Sequence, residues 1–172
     1  MRKISNITMG IDKLSNSPIV FLKVENTNLV VPIWIGPCEA GVLALILRNE
    51  EFERPLTHDL IQSVIENLGA IPIKVLIDEF KNDIYFAKLI LEDKDSNQIS
   101  IDARPSDCII LSLKKNIPIF IDEKIAVEHS IDSSFFEENE ENSIKKDIDN
   151  FNIDELRRKF EKKDDETDED NN

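Results

Sequence analysis

Three acidic residues occupy similar positions along the chain. Glu39, Asp59 and Asp107 each stand two to four residues after a proline, near the expected start of a helix. A single acid at a helix start has a structural explanation, because a carboxylate in the first turn complements the helix dipole and caps free amides. Three of them could also meet in one cleft and bind Mg²⁺ or Mn²⁺, since these cations accept oxygen ligands. The residues alone leave both interpretations open.

Basic and polar side chains accompany these acids. Arg54 and Arg104 each precede a proline, and His58 lies beside Asp59. A guanidinium forms paired hydrogen bonds with phosphate or carboxylate, so each arginine could bind a ligand or form a salt bridge with one of the acids. His58 could transfer a proton, ligate a metal, or serve as a hydrogen-bonded residue at a helix start. Asp102 ends an alternating strand and could face away from the core.

Apolar periodicity places these residues on predicted elements. Alternating or continuous apolar runs predict strands, and apolar spacings of three and four predict amphipathic helices. The predicted strands cover residues 18–24, 29–35, 71–77, 84–91, 98–103 and 118–121; the predicted helices begin at residue 37 and cover 57–68 and 106–114. Thr57 is expected to be the N-cap of the second helix, and Trp34 and Ile35 are expected to fill the core. The second helix has an apolar stripe formed by Leu60, Ile61, Val64, Ile65 and Leu68.

The chain contains an internal repeat. Residues 37–45 align with residues 105–113 at an offset of 68. In both stretches a predicted hairpin precedes a proline, an acid follows two residues later, and an apolar helix continues from there. We therefore predict an α+β fold with mixed or antiparallel sheets, helices, and a duplicated strand–turn–strand–helix unit.

Charge and composition limit the functions that the chain can have. The 172 residues carry a net charge of −14, and residues 128–172 hold 17 acidic against 7 basic residues. A chain this acidic repels phosphate backbones at long range, which excludes general coating of nucleic acid. No apolar run is long enough to span a bilayer, and Cys38 and Cys108 lack zinc-site or disulfide-framework spacing. A cytoplasmic protein without membrane contact is expected.

Composition also divides the chain into segments. We expect a folded domain over residues 1–129 and a helical or irregular extension over 130–163, with a helix at 154–163. Residues 164–172 are almost all acidic or Asn and are expected to form a disordered tail. The acidic tail could bind a protein partner.

Three strings of residues resemble the signature blocks of the bifunctional nuclease domain family. They are Pro-Ile-Trp-Ile-Gly-Pro-Cys-Glu-Ala at 32–40, Arg-Pro-Leu-Thr-His-Asp-Leu at 54–60 and Ile-Asp-Ala-Arg-Pro-Ser-Asp at 101–107. The resemblance covers roughly residues 4–128. It implies an α+β domain with internal duplication, self-association, and nuclease activity on DNA and RNA. The signature positions that it implies are Glu39, Arg54, His58, Asp59, Asp102, Arg104 and Asp107.

Two functions from different classes follow. The first is a metal-dependent nuclease in which Glu39, Asp59 and Asp107 hold Mg²⁺ or Mn²⁺. Arg54 and Arg104 would then bind phosphate oxygens, His58 would act as an acid, base or ligand, and Asp102 would be a further catalytic group. The chain is expected to form a homo-oligomer, with a dimer favoured.

The second function is a non-enzymatic binding or regulatory module. In this interpretation the arginines and carboxylates form a site for a small anion or a protein partner. A third interpretation is purely structural: the same carboxylates and arginines hold the two repeated units together.

Overall fold

The computed structural model describes residues 1–50 and 52–135. These residues form eight strands, four α-helices and one short 3-10 helix, Ser133–Phe135. The strands are β1 (Arg2–Asp12), β2 (Ser17–Val24), β3 (Leu29–Trp34), β4 (Ala70–Lys81), β5 (Ile84–Asp93), β6 (Gln98–Ala103), β7 (Ile119–Ile121) and β8 (Ile131–Asp132). The helices are α1 (Pro37–Leu47), α2 (Thr57–Asn67), α3 (Pro105–Lys115) and α4 (Glu123–Glu128).

All eight strands belong to one sheet. Their order is β6-β5-β4-β7-β1-β2-β3-β8. The β4–β7 pair is parallel, and the other neighbouring pairs are antiparallel. The predicted α+β class with a mixed sheet is therefore confirmed.

The predicted repeat corresponds to two units with the same element order. The β2–β3 hairpin leads into α1, and the β5–β6 hairpin leads into α3. Both helices have a proline at the first helical position, and their N-caps, Gly36 and Arg104, have nearly equal extended dihedral angles (φ −72°, ψ 155° and φ −66°, ψ 145°). Because α1 and α3 contact each other, the repeat brings the two helix starts together.

The hydrophobic core lies between the sheet and helices α1 and α3. Leu43 on α1 and Ile109 on α3 are at most 1% exposed, and both pack in the same cluster as Val75 and Ile77 of β4. Burial of one such aliphatic side chain contributes roughly 1.5–3 kcal/mol. This packing fixes the position of α3, and with it the acid in its first turn.

Helix α2 differs from the sequence-based expectation at its start. Thr57 is the first helical residue, and Leu56 is the N-cap. The predicted capping role of Thr57 is wrong because Asp59 supplies the cap: its Oδ2 accepts a hydrogen bond from the Leu56 amide at 2.8 Å.

The apolar stripe of α2 does not enter the core. Leu60, Val64 and Leu68 are 60%, 49% and 76% exposed, whereas Ile65 is partly buried against the core. Periodicity identified the stripe correctly but could not show what the helix packs against. The α2 side chains that are partly shielded from solvent mostly line a cleft between α2 and the β5–β6 hairpin.

Trp34 also departs from its predicted position. It is 55% exposed, and its Nε1 donates a hydrogen bond of 3.4 Å to Asp12 Oδ2. Successive side chains of a strand point to opposite faces, so burial of Val31 and Ile33 on β3 turns Trp34 outward. Ile35 packs against the core as predicted.

Other parts of the chain lie beyond the sequence-based expectations. Strand β1 and helix α4 were not predicted, and β8 pairs with β3, which extends the described fold past residue 129. Residues 136–172 lie outside the described residues, and so do the predicted helix at 154–163 and the acidic tail. In the described part of the chain, no helix has the length and apolar character needed to cross a membrane.

Replacing Asp59 is predicted to destabilise the fold. Its Oδ1 accepts a hydrogen bond from Lys114 Nζ at 2.6 Å, which ties α2 to the last turn of α3. We expect Asp59→Ala to cost about 1–2 kcal/mol and to lower the melting temperature by about 3–6 °C in a thermal unfolding scan. Asp95→Ala, in the exposed turn between β5 and β6, is the control and should leave it unchanged. Equal melting temperatures for wild type and Asp59→Ala would contradict this prediction.

The stabilisation by Asp59 should also depend on pH. Partial burial opposes its ionisation, but hydrogen bonds from Lys114 and the Leu56 amide outweigh burial and hold the pKa of Asp59 below its ordinary value of 3.8. The stabilisation is therefore complete above pH 3.8 and is lost as the pH falls through the lowered pKa of the folded state. The difference in melting temperature between wild type and Asp59→Ala should shrink accordingly.

Candidate functional site

Four of the predicted site residues form one network at the starts of α1, α2 and α3. Arg104 Nε donates to Asp107 Oδ2 at 2.8 Å, and Arg104 Nη2 donates to Asp107 Oδ1 at 3.2 Å. The same Nη2 lies 2.7 Å from Glu39 Oε1. His58 Nε2 lies 3.0 Å from Asp107 Oδ1. Asp107 is thus the centre of a network that includes both repeated units and α2.

The network shifts the pKa values of two of its members, Asp107 and Arg104. Partial burial alone would raise the pKa of Asp107, but hydrogen bonds from Arg104 and His58 outweigh it, so the pKa lies below its ordinary value. The hydrogen bond and charge of Asp107, with a further contribution from Glu39, raise the pKa of Arg104. Two carboxylates therefore share one guanidinium, and the helix N-termini add partial positive charge.

Local backbone shape positions Glu39. Its side chain is 14% exposed and folds back over Gly36, where a Cβ would collide with the Glu39 carboxylate. Glycine at the N-cap of α1 therefore leaves room for the carboxylate to reach Arg104. Any larger residue at this position would require Glu39 to move.

His58 is the buried member of the network. It is 6% exposed, and its Nδ1 has no hydrogen-bond partner among the residues that the structure describes. A histidine that is oriented by a carboxylate through one ring nitrogen can accept a proton on the other. A buried ring nitrogen without a hydrogen-bond partner costs free energy, so Nδ1 is a candidate proton acceptor.

Arg54 lies at the cleft but outside the network. It is exposed, lines the cleft together with His58 and Arg104, and forms no ion pair within the described ranges 1–50 and 52–135. This places its guanidinium where an anion that enters the cleft would meet it.

The structure does not bring Asp59 or Asp102 into the network. Both oxygens of Asp59 are used elsewhere, one by Lys114 and one by the Leu56 amide. Asp102 lies opposite Lys88 in the β5–β6 register, on the face of β6 that points away from the cleft. The alternation of β6 explains this, because Ile101 and Ala103 line the cleft.

The three carboxylates expected to hold a metal do not form a ligand set. Glu39 and Asp107 are joined by the guanidinium of Arg104, and Asp59 is bonded to Lys114. Among residues 1–50 and 52–135 there is no group of three or more His, Cys, Asp and Glu side chains that could hold an ion. The residues present do not fit Mg²⁺ or Mn²⁺ in this arrangement, because a cationic side chain lies between the two carboxylates that remain.

The cleft beside the network is large and mostly aliphatic. Its volume is about 1170 Å³, and the network lies among its lining residues. The remaining wall is formed largely by apolar side chains, among them Ile61, Leu68, Leu89, Leu91, Ile99 and Ile101. A smaller cavity of about 300 Å³ lies next to it, beside Arg54 and the Asp59–Lys114 pair.

Sequence reasoning missed two features of this region. Lys114 was not recognised as the partner of Asp59, although a basic residue in the last turn of a helix was visible. The apolar wall was also missed, because the apolar pattern of α2 and β6 does not show which surface these side chains line. The signal in the sequence was the apolar spacing itself, which is three and four residues in α2 and every second residue in β6.

Comparison with known proteins points to one family. A family model described as the bifunctional nuclease domain matches residues 20–134. An uncharacterized protein of Mycobacterium tuberculosis is 32% identical over 128 residues, or 74% of this chain and 76% of that protein. Bifunctional nuclease 1 of Oryza sativa subsp. japonica is 26% identical over 122 residues, or 70% of this chain and 37% of that protein. Bifunctional nuclease 1 of Arabidopsis thaliana is 28% identical over 112 residues, or 63% of this chain and 34% of that protein.

The stretch matched by the family model contains the candidate site. The matched stretch 20–134 includes Arg54 and all four residues of the network. The chain spans only about a third of the length of the plant relatives. With a family model over most of its length and a relative above 30% identity, the chain belongs to the bifunctional nuclease domain family.

Proposed function

We propose that this chain hydrolyses phosphodiester bonds of nucleic acid in the cleft beside Asp107. The observation that carries the proposal is the contact of His58 with Asp107, next to Arg104 and to Arg54, which forms no ion pair with the residues that the structure describes. A proton acceptor oriented by a carboxylate, together with two phosphate-binding side chains, is the minimal set for attack of water on a phosphodiester. Membership in a nuclease family supports the same chemistry.

His58 is the proposed proton acceptor. Asp107 fixes the orientation of the ring through Nε2 and stabilises the imidazolium that forms when the ring takes a proton from water. The Nδ1 atom is buried, so the attacking water must enter the cleft wall beside His58 to reach it. General acid–base catalysis of this kind typically contributes about 10²–10⁴-fold to the rate.

Arg54 and Arg104 are the proposed phosphate ligands. Arg104 is 66% exposed in its side chain although two carboxylates bind it, so part of the guanidinium still faces solvent. Arg54 adds a second cation on the same cleft. Two cations bind few phosphates, so the substrate in contact with the protein is a short stretch of one strand rather than a long duplex.

No step of this proposal passes through a metal ion. The expected Mg²⁺ or Mn²⁺ requirement has no ligand set among the described residues, so the assay must test it directly. Labelled single- and double-stranded DNA and RNA are incubated with the protein in Mg²⁺, in Mn²⁺ and in EDTA. Cleavage that persists in EDTA removes the metal requirement, and cleavage that needs a metal shows that the network rearranges to admit one.

Removing the proton acceptor or the carboxylate that orients it should slow cleavage strongly. We predict that His58→Ala and Asp107→Asn each lower the cleavage rate by about 10²–10⁴-fold, while Asp102→Asn keeps the wild-type rate. Asp102 is the matched control because it is an aspartate five residues before Asp107. It lies on the face of β6 that points away from the cleft. Circular dichroism of each variant confirms that the fold is intact. Equal rates in wild type and in folded Asp107→Asn protein would refute the assignment.

Removing Arg54 should weaken binding rather than chemistry. We predict that Arg54→Ala raises KM for single-stranded substrate with little change in kcat. Loss of one phosphate contact should also reduce the slope of log affinity against log salt by about 0.7. Fluorescence anisotropy at several salt concentrations measures the slope. An unchanged slope with unchanged KM would show that Arg54 contacts no phosphate.

The contribution of Asp107 to activity should not change with pH in the neutral range. Because the pKa of Asp107 lies below 3.8, its carboxylate stays ionised throughout the neutral range and orients His58 there. The contribution of Asp107 is complete above pH 3.8 and is lost only as the pH falls through the lowered pKa. We therefore predict that the ratio of kcat/KM for wild type to kcat/KM for Asp107→Asn stays constant between neutral pH and pH 5. A fall of that ratio within this range would contradict the prediction.

A second function is favoured by a separate observation. The cleft is mostly aliphatic, and Arg104 is already bonded to two carboxylates, as expected for a binding or regulatory module. In that case purified protein cleaves no nucleic acid at a rate above that of Asp107→Asn.

The third, purely structural interpretation is tested by thermal scans of Arg104→Ala. A large fall in melting temperature would assign the network to stability.

A further inference from the structure

We infer that residues 144–163 of this chain dock in its own cleft, between α2 and the β5–β6 hairpin, and thereby limit access to the network around Asp107. We call these residues the docking segment. The inference goes beyond the proposed hydrolysis and does not rest on it, because it concerns what occupies the cleft and not what reacts there. Three observations support it: the apolar wall, the charges around the cleft, and the sequence pattern of the segment.

The wall of the cleft exposes several large apolar side chains. Ile99 and Ile101 on β6 are 39% and 42% exposed, and Ile61 and Leu68 on α2 are 38% and 76% exposed. All four line the cleft. Because soluble monomers seldom leave contiguous apolar surface of this kind uncovered, we expect a segment with apolar side chains of its own to cover the wall.

The docking segment carries apolar residues at matching intervals. They form two groups, each with spacings of three and four residues: Ile144, Ile148 and Phe151, then Ile153, Leu156 and Phe160. Segments with this spacing bind apolar grooves through the stripe that their apolar side chains form. Residues 137–143 and 164–172 contain no apolar residue, so the apolar side chains that follow residue 136 all belong to the docking segment.

The charges of the docking segment and of the cleft have opposite sign. All seven basic residues of 128–172 fall within the docking segment, which also holds five acids and so has a net charge of +2. Among the described residues that line the cleft, the acids Glu39, Glu53, Asp93 and Asp107 outnumber Arg54 and Arg104 by two. Complementary charge selects the docking segment over the acidic stretches on either side of it.

The chain that leads to the docking segment is long enough to reach the cleft. The described residues end after β8, and β8 and β6 form opposite edges of the eight-stranded sheet, about 34 Å apart at normal strand spacing. Residues 136–151 span up to about 53 Å when extended. Tethering gives the segment an effective concentration on the order of mM, so a weak apolar contact is sufficient for docking within one chain. This favours the docking segment over an occupant that must arrive from solution.

The thiol of Cys38 measures whether the cleft is covered. Cys38 lines the cleft and is exposed to solvent in the described part of the chain. Cys108 is buried, and burial raises its pKa to about 12, so it does not compete for a thiol reagent at neutral pH. The alkylation rate of the full chain by iodoacetamide, followed by mass spectrometry, therefore reports on Cys38 alone.

Removing the apolar side chains of the docking segment should expose Cys38. We expect the full-length triple variant Phe151→Ser, Leu156→Ser, Phe160→Ser to be alkylated at least about tenfold faster than wild type, as expected when a docked segment is released. The control Asn139→Ser, Asn142→Ser, Thr167→Ser also introduces three serines, but outside the docking segment, and should keep the wild-type rate. Equal rates in wild type and in the Phe151 triple variant would overturn the inference.

Cross-linking of the full chain identifies where the segment docks. In a Cys38→Ser background, Ile99→Cys is combined with Leu156→Cys and treated with a short bismaleimide. We expect a cross-link within one chain, at monomer mass, in higher yield than from Ser15→Cys with Leu156→Cys, since Ser15 lies in the exposed turn between β1 and β2. A yield no higher than that of the Ser15 pair would contradict docking in the cleft, and a cross-link between two chains would contradict docking within one chain.

These measurements are independent of the proposed hydrolysis. Both readouts are covalent modification of a thiol, and neither requires cleavage of nucleic acid. Failure of the docking inference therefore leaves the proposed hydrolysis standing, and a protein without nuclease activity still gives a definite result in both experiments.

Discussion

The guanidinium of Arg104 connects the two repeated units at the site. It binds Asp107 on its own helix through two hydrogen bonds and Glu39 on α1 through one ion pair. Without this cation, two carboxylates at the adjacent starts of α1 and α3 would repel each other at close range. The positive ends of the helix dipoles assist, but they carry only about half a charge each. His58 in turn contacts Asp107, so the network links three helix starts through one cationic side chain.

Asp59 and Asp107 show why local pattern does not determine a residue's role. Both are acids in the first turn of a helix that follows an Arg-Pro pair, and the sequence alone does not distinguish their roles. The difference arises from the neighbours that the fold supplies. The start of α3 faces α1 and His58, whereas Asp59 on α2 faces Lys114 at the end of α3. Long-range packing therefore decides that one carboxylate joins the network and the other ties two helices together.

The fold was predictable where apolar periodicity reports directly on burial. Strand β6 has the bounds that alternation indicates, and α3 differs from its predicted range by one residue at each end. Strand β1 was not predictable, because polar residues such as Ser5, Asn6 and Thr8 interrupt it and β2 and β7 supply its pairing. The stripe of α2 was visible, but whether it faces a core or a cleft depends on strands far away in sequence.

The cleft joins a polar end to an apolar wall, and salt acts differently on the two. Under the proposed function, phosphate binding by Arg54 and Arg104 would release counterions from nucleic acid and would weaken as salt is added. Contacts with the apolar wall do not depend on charge, so added salt does not screen them. The net charge of −14 repels a phosphate backbone at long range, and added salt screens that repulsion. The proposed function is therefore compatible with an acidic chain, because the arginines act at short range and the repulsion acts at long range.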